Sequence, residues 1–350
     1  MSPEQQEANP VAEYELSSVE RPVTVAEEVA RLPRTPLQEV VAFKFGGTSL
    51  FGAERMLHAA GLVRDAVGNT RVIVVVSAMK EVTDRLLRIA QLQGHVEWQK
   101  AREAAEAVVE LHLATLRELR LAEKDHARVT QEIRILGRDL LHEAPLRGPM
   151  KVTGAHRDRL ASFGERFSAR LFAGALAKIG VPAVPVVSSD FVVTCDTFQE
   201  AKPLLEHTRR RGQEVLFPLL EAGIVPVVTG FIGATPDGRF TTLGRNSSDF
   251  SGALIAHIVD AEELVIWTDV DGIFTTNPKE TAEAKLLHEL SYNDAQALAT
   301  NGAKVLHPLV LPLAAQTEMT IWVRNTFKPQ QRGTRIGPAR DPFRQNGGVA

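Results

Sequence analysis

VVAFKFGGTS, residues 40–49, is an apolar run closed by two glycines, and helix-forming residues follow from about Ala53. A short, nearly continuous run of this kind predicts a strand buried on both faces, as in a parallel sheet. Glycines after such a strand let a ligand approach the backbone. Free amides at the start of the next helix favour phosphate, and Lys44 adds a point charge. The loop is not of the GxxxxGK[ST] type. Taken alone, Gly46-Gly47 is more often mere punctuation than a phosphate site.

Outward from this stretch the pattern repeats. A second run, Val72–Val76, ends at Ser77-Ala78, and further strand-like runs cover Ala183–Val187, Val225–Val228, Leu264–Trp267 and Thr320–Val323. Residues 97–142 read as two helices. A helix over about 157–179 places Leu160, Phe163, Phe167 and Leu171 on one face. A hairpin is expected at Pro236-Asp237-Gly238 and a helix over about 249–260. Ser291 and Asp294 form a capping box for a helix to Thr300, with Gly302 near its end. Alternating strands and helices predict an α/β layered fold around a mainly parallel sheet. Three regions are expected: an extension over 1–39, partly mobile; a body over 40–336; and a polar tail over 337–350. The first 40 residues hold 8 acidic and 3 basic side chains, and residues 24–32 suit a short helix.

Composition bounds the class. The 350 residues are 44% hydrophobic and 24% charged, with 25 Gly and 19 Pro, which excludes collagenous and globally disordered chains. A net charge of −3 gives no overall basic field, so no nucleic-acid partner is expected. The single cysteine, Cys195, can form no intramolecular disulfide, and no spacing suggests a zinc site. No apolar run approaches the roughly 18 residues of a membrane span, and the N-terminus is not signal-like. A soluble cytoplasmic protein is expected.

Four further segments offer chemistry. TTLGRNSSD (241–249) leads into a helix that Ser247 or Ser248 can cap, with Asp249 suited to the dipole; capping leaves Arg245, a good carboxylate fork, unexplained. WTDVDG (267–272) puts Asp269 and Asp271 at a strand end, where ligands sit in open α/β sheets, although an Asp-rich turn explains it too; Ile273 and Pro278 rule out a calcium loop. In GAKVLHP (302–308), Lys304 reads as a solvated cation and His307 as a helix-end residue. Glu165 and Ser162 lie off the Leu/Phe stripe, where a surface acid is the ordinary reading.

Together with VVSAM (75–79), GFIG (230–233), SYNDA (291–295) and VRNTF (323–327), these segments occur in an order that resembles the catalytic domain of aspartate kinase, in the amino-acid kinase superfamily. The likeness covers about residues 40–336. It implies a three-layer αβα sandwich, as in carbamate kinase, and transfer of phosphate from ATP with Mg²⁺ to the side-chain carboxylate of L-aspartate or a close analogue. The resemblance implies catalytic roles for Lys44, Lys304 and Asp249, with Asp249 orienting the lysines. ATP would contact Lys44, Gly46, Gly47, Thr48, Ser49, Thr268, Asp269, Phe274, Lys279, Lys304 and Val305. The amino acid would contact Ser77, Thr83, Glu165, Arg245, Asn246, Ser247 and Ser248. No metal ligand from the protein is implied, because Mg²⁺ arrives with ATP. A homodimer is also implied.

Several positions depart from the family's pattern. Asn246 and Ser247 stand where two glycines are usual, and Lys80-Glu81 where a small residue is usual. Asn277-Pro278-Lys279, Val187-Ser188-Ser189 and Leu309 replace other habitual residues. Many members continue into paired ACT domains that bind lysine or threonine. Little follows Ile336 here, so a kinase without that feedback control is expected. Two alternatives stand beside the first reading: a kinase for a modified aspartate or another amino-acid carboxylate, and a non-catalytic binding subunit.

Overall fold

The computed structural model describes residues 39–144, 152–245, 247–276, 281, 283–300 and 306–338. The strands are β1 (Val40–Phe45), β2 (Arg71–Val76), β3 (Ala183–Val186), β4 (Val225–Thr229), β5 (Ile232–Ala234), β6 (Phe240–Thr242), β7 (Glu263–Thr268), β8 (Ile273–Phe274), β9 (Leu286–Leu287), β10 (Glu289–Ser291), β11 (Thr320–Asn325) and β12 (Thr334–Gly337). The helices are α1 (Ala53–Val67), α2 (Val82–Gly94), α3 (Trp98–Leu119), α4 (Glu123–Glu143), α5 (Gly154–Lys178), α6 (Leu205–Glu221), α7 (Ser248–Ile258), α8 (Tyr292–Thr300) and α9 (Val310–Gln316).

Eight strands form the main sheet in the order β10-β12-β11-β7-β1-β2-β4-β3. All neighbours are parallel except β11 and β12. The pleat sorts the core into two layers. Phe43, Phe45, Val72, Val74, Val76 and Trp267 face α1 to α5. Ala42, Ile73, Val75, Leu264, Ile266 and Ile321 face α6, α7 and α9. Helices on both faces of a mainly parallel sheet make the three-layer αβα sandwich. β5 and β6 pair as the expected hairpin, and the Ser291–Asp294 box caps α8.

Two elements depart from the sequence reading. Strand β12, Thr334–Gly337, runs within the sheet to one residue past the expected end of the body at 336. Helix α5 is buried nearly all round, including Ser162 and Glu165, because it packs on the sheet and on its neighbouring helices at once. The edge strand β3 is four residues long and contains Pro185.

From β1 the chain moves on to β2 on one side, whereas after β7 the later strands of the sheet, β10, β11 and β12, all lie on the other. The loops leaving β1 and β7 therefore diverge and open a crevice at the carboxyl ends of the strands, where α/β sheets bind ligands.

Candidate active site

Lys44 alternates out of the sheet towards α7. Gly252 makes room for it: a Cβ there would lie 3.1 Å from the Lys44 Cβ. The stem runs along the helix to Asp249 in its first turn, and the two charges meet at 2.7 Å. Lys44 is buried, with 7% exposure, so this pair sits largely out of water, where charge interactions are strong.

The two glycines beyond Lys44 do different work. Gly46 donates to the Trp267 carbonyl across the β1–β7 seam at 3.2 Å. Its missing Cβ leaves ordinary space beside the Lys44 ammonium, 3.7 Å away. Gly47 is forced by packing: a Cβ would lie 2.6 Å from the Ala78 carbonyl oxygen. Its carbonyl accepts from the Lys80 amide at 3.1 Å. Thr48 is half-buried. Ser49 is not presented to the crevice: its side chain is buried against the Thr326 hydroxyl at 2.7 Å, and its amide closes a turn on Gly46.

The loop after β2 is pinned to α5. Ala78 donates to Glu165 Oε1 at 3.0 Å, and Met79 donates to Ser168 Oγ at 3.1 Å. Gly164 permits this approach, since a Cβ there would lie 2.7 Å from that of Ala78. Ser77 is buried at the end of β2, and Thr83 lies in the first turn of α2. Glu165 is 2% exposed and its Oε2 has no partner. Burial pushes its carboxyl up to about 8, against the opposing pull of the Ala78 amide and Lys44. A surface acid is thus excluded: this is a buried carboxyl with one oxygen unpaired.

On the α7 side, Gly244 turns the chain at φ 95° and delivers Arg245. Arg245 is exposed and reaches Asp84 of α2 at 3.0 Å. Ser247 occupies the N-cap position of α7, but its hydroxyl does not cap; it is fully buried without a partner. Ser248 begins the helix, half-buried. His307 starts the turn into α9 and stacks on Phe250 with centroids 5.6 Å apart, in keeping with a helix-end role. A cleft of about 980 Å³ opens beside Arg245, Phe250 and His307.

At the end of β7, Thr268 is half-buried and Asp269 exposed, while Phe274 lies in the small β8–β9 hairpin. Asp271 is committed to Asn325 and Lys328, so it ties the strand end rather than opening towards a ligand. Asn246, Lys279, Lys304 and Val305 lie outside the described residues.

The sequence profile of the amino acid kinase family matches residues 39–325. The chain belongs to this family. Among the relatives of this amino acid kinase, lysine-sensitive aspartokinase 3 of Escherichia coli is 33% identical over 303 residues, 86% of this chain and 64% of its own. Chloroplastic aspartokinase 3 of Arabidopsis thaliana is 32% identical over 320 residues, 90% and 56% of the two chains. The structure of E. coli aspartokinase III with aspartate and ADP matches at a TM-score of 0.76 and 32% identity, covering 87% of this chain and 66% of that one. Giardia lamblia carbamate kinase shares the fold alone, at a TM-score of 0.54 and 11% identity. The chain therefore spans somewhat less than two thirds of the length of these aspartokinases.

Within this amino acid kinase, the folded chain brings Lys44, Gly46, Gly47, Asp249, Glu165 and Ala78 together at the crevice, while Arg245 lines the separate cleft beside Phe250 and His307. The sequence reading missed Asp158 and Ser168 on α5 and Asp84 on α2. Asp158 carried a detectable signal: it precedes Glu165 by two helical turns on the same face.

Proposed function

We propose that the chain is an aspartate kinase: it transfers the γ-phosphoryl group of ATP to the side-chain carboxylate of L-aspartate, giving 4-phospho-L-aspartate and ADP. The observation that carries this reading is the Lys44–Asp249 pair, 2.7 Å apart beside the open face of Gly46. It supplies an oriented cation and an unobstructed backbone where a phosphoryl group can sit. The aspartate and ADP bound to the similar E. coli aspartokinase III support the same assignment.

The chemistry follows from charge. A free carboxylate is ionised at neutral pH, its ordinary pKa being about 3.9, so no general base is required. The work is to bring two anions together in line and to stabilise the charge that spreads over the transferring group. Lys44 and the Gly47 and Thr48 amides answer the phosphate charge, the Gly46 and Ser49 amides being spent within the fold. Glu165 takes the substrate ammonium and Arg245 its α-carboxylate, exchanging Asp84 for the substrate. Mg²⁺, carried by the nucleotide, neutralises phosphate charge when bound. Lys304 is proposed to add positive charge at the phosphate and Lys279 to contact the nucleotide, on the resemblance of their segments. The catalytic unit is read as residues 40–336, in a cytoplasmic homodimer; no described helix is long and apolar enough to cross a membrane.

The test is ATP-dependent acyl-phosphate formation trapped with hydroxylamine in the presence of Mg²⁺. L-Aspartate, D-aspartate, L-glutamate, asparagine and α-carboxyl-blocked aspartate form the panel. Strong signal on L-aspartate is the expected result. Signal on an analogue without L-aspartate would point to a changed acceptor, and silence throughout would overturn the reading.

A further inference from the structure

Asp158 is 1% exposed on α5, yet no cation pairs with its carboxylate among the described residues. It accepts three hydrogen bonds instead. Oδ2 takes the Gln199 amide at 2.8 Å and the Thr242 amide at 3.0 Å, and Oδ1 takes the Thr242 hydroxyl at 2.9 Å. Burial raises its pKa, and these donors act against that rise. An acid held at such cost between separate segments is doing more than filling space.

Both partners lead to the site. Thr242 ends β6, and its carbonyl accepts from Ala201 at 2.9 Å, so β6 and the 197–201 turn are locked together. After Thr242 only Leu243 and the Gly244 turn separate the strand from Arg245. Seven residues along α5 from Asp158 stands Glu165, two turns on and on the same face. One rigid helix therefore carries Glu165 directly and holds the Arg245 segment through Asp158.

Resting on the kinase reading above, we infer that Asp158 is a positioning residue that sets the span between Glu165 and Arg245, and so the length of acceptor that the pocket selects. With the ammonium and the α-carboxylate fixed at a constant separation, the reach of the side-chain carboxylate is fixed too. An acceptor one methylene longer, L-glutamate, then delivers its carboxylate out of line. A loosened span accepts both poorly and tells them apart less well.

Asp158→Asn places an amide among three donors, and Thr242→Val deletes the hydroxyl bond alone while keeping the shape of the strand residue. For each variant, kcat and KM are measured for L-aspartate, L-glutamate and ATP by hydroxamate trapping, with thermal melting alongside. Asp158→Asn is expected to lower kcat/KM for L-aspartate by about 100-fold, chiefly through KM, as expected for a misplaced anchor. Its preference for aspartate over glutamate should fall by about tenfold, the low end of one-methylene discrimination. The KM for ATP should stay within about twofold of wild type, which general damage would not allow. Thr242→Val should move the same quantities in the same direction by about threefold to tenfold, and it decides the matter if Asp158→Asn does not fold. Folded variants with wild-type KM and unchanged preference would overturn the inference, as would equal losses for aspartate and ATP. A wild-type chain without turnover on any amino acid would refute the kinase reading itself, and this role with it.

Discussion

At the level of single residues, Lys44 and Glu165 divide the proposed work between the phosphoryl group and the amino acid. Lys44→Ala removes a buried charge aimed at the reacting group and is expected to lower kcat by about 10²–10³-fold, the usual loss for a pre-organised electrostatic donor. A folded variant keeping more than a tenth of wild-type turnover in the hydroxamate assay would remove Lys44 from the mechanism. Glu165 yields a pH prediction. The folded, unliganded chain holds its proton up to about pH 8, whereas the ordinary value is 4.5. Between these values the folded state binds the extra proton, so the contribution of this group to stability is full below 4.5 and is lost as pH rises through 8. Binding has the opposite sign, because the ammonium requires the ionised carboxylate. The KM for L-aspartate should therefore rise by up to about tenfold per unit as pH falls below 8. Glu165→Gln should raise KM and flatten that slope; a slope unchanged in this variant would assign the titration to another group.

At the level of elements, the turn after β1 separates ligand access from packing. Gly46→Ala places a methyl in ordinary space beside Lys44 and should raise the KM for ATP with little change in melting temperature. Gly47→Ala drives a methyl onto the Ala78 carbonyl and should cost about 1–3 kcal/mol of stability, read by denaturant titration, as overpacking does. Equal melting temperatures for the two variants would contradict this division. Both glycines were legible as a strand-ending motif, but only the fold distinguishes their reasons. The same holds for Ser49, which shares the motif yet spends its hydroxyl on Thr326, a partner 277 residues away. The strands and most helices could be read because their apolar runs and stripes are local. Helix α5 is legible as a helix, but its burial is not, since its apolar period marks one face whereas packing covers nearly all of it, and so Glu165 looks exposed in sequence. The spacing of Asp158 to Glu165 is legible, but its partners are not, because Gln199 and Thr242 are 41 and 84 residues away.

Across the whole molecule, the crevice is assembled from both helical layers, with Glu165 contributed by one and Asp249 by the other, and β1 between them. A ligand that touches both should brace the sandwich as a unit. A non-hydrolysable ATP analogue with Mg²⁺ and L-aspartate, each at 100 times its Kd, should add about 2.7 kcal/mol per independent site and raise the melting temperature. Hydrogen exchange should slow both at Ala78–Met79 and in the first turn of α7. Protection confined to one layer would show that the layers bind separately. The sheet also has a closed margin. β3 offers a neighbour only four residues, and Pro185 has no N–H to give. Both features blunt this edge against strand addition and amyloid-like stacking. Assembly on that flank is thereby steered towards helix surfaces rather than shared strands.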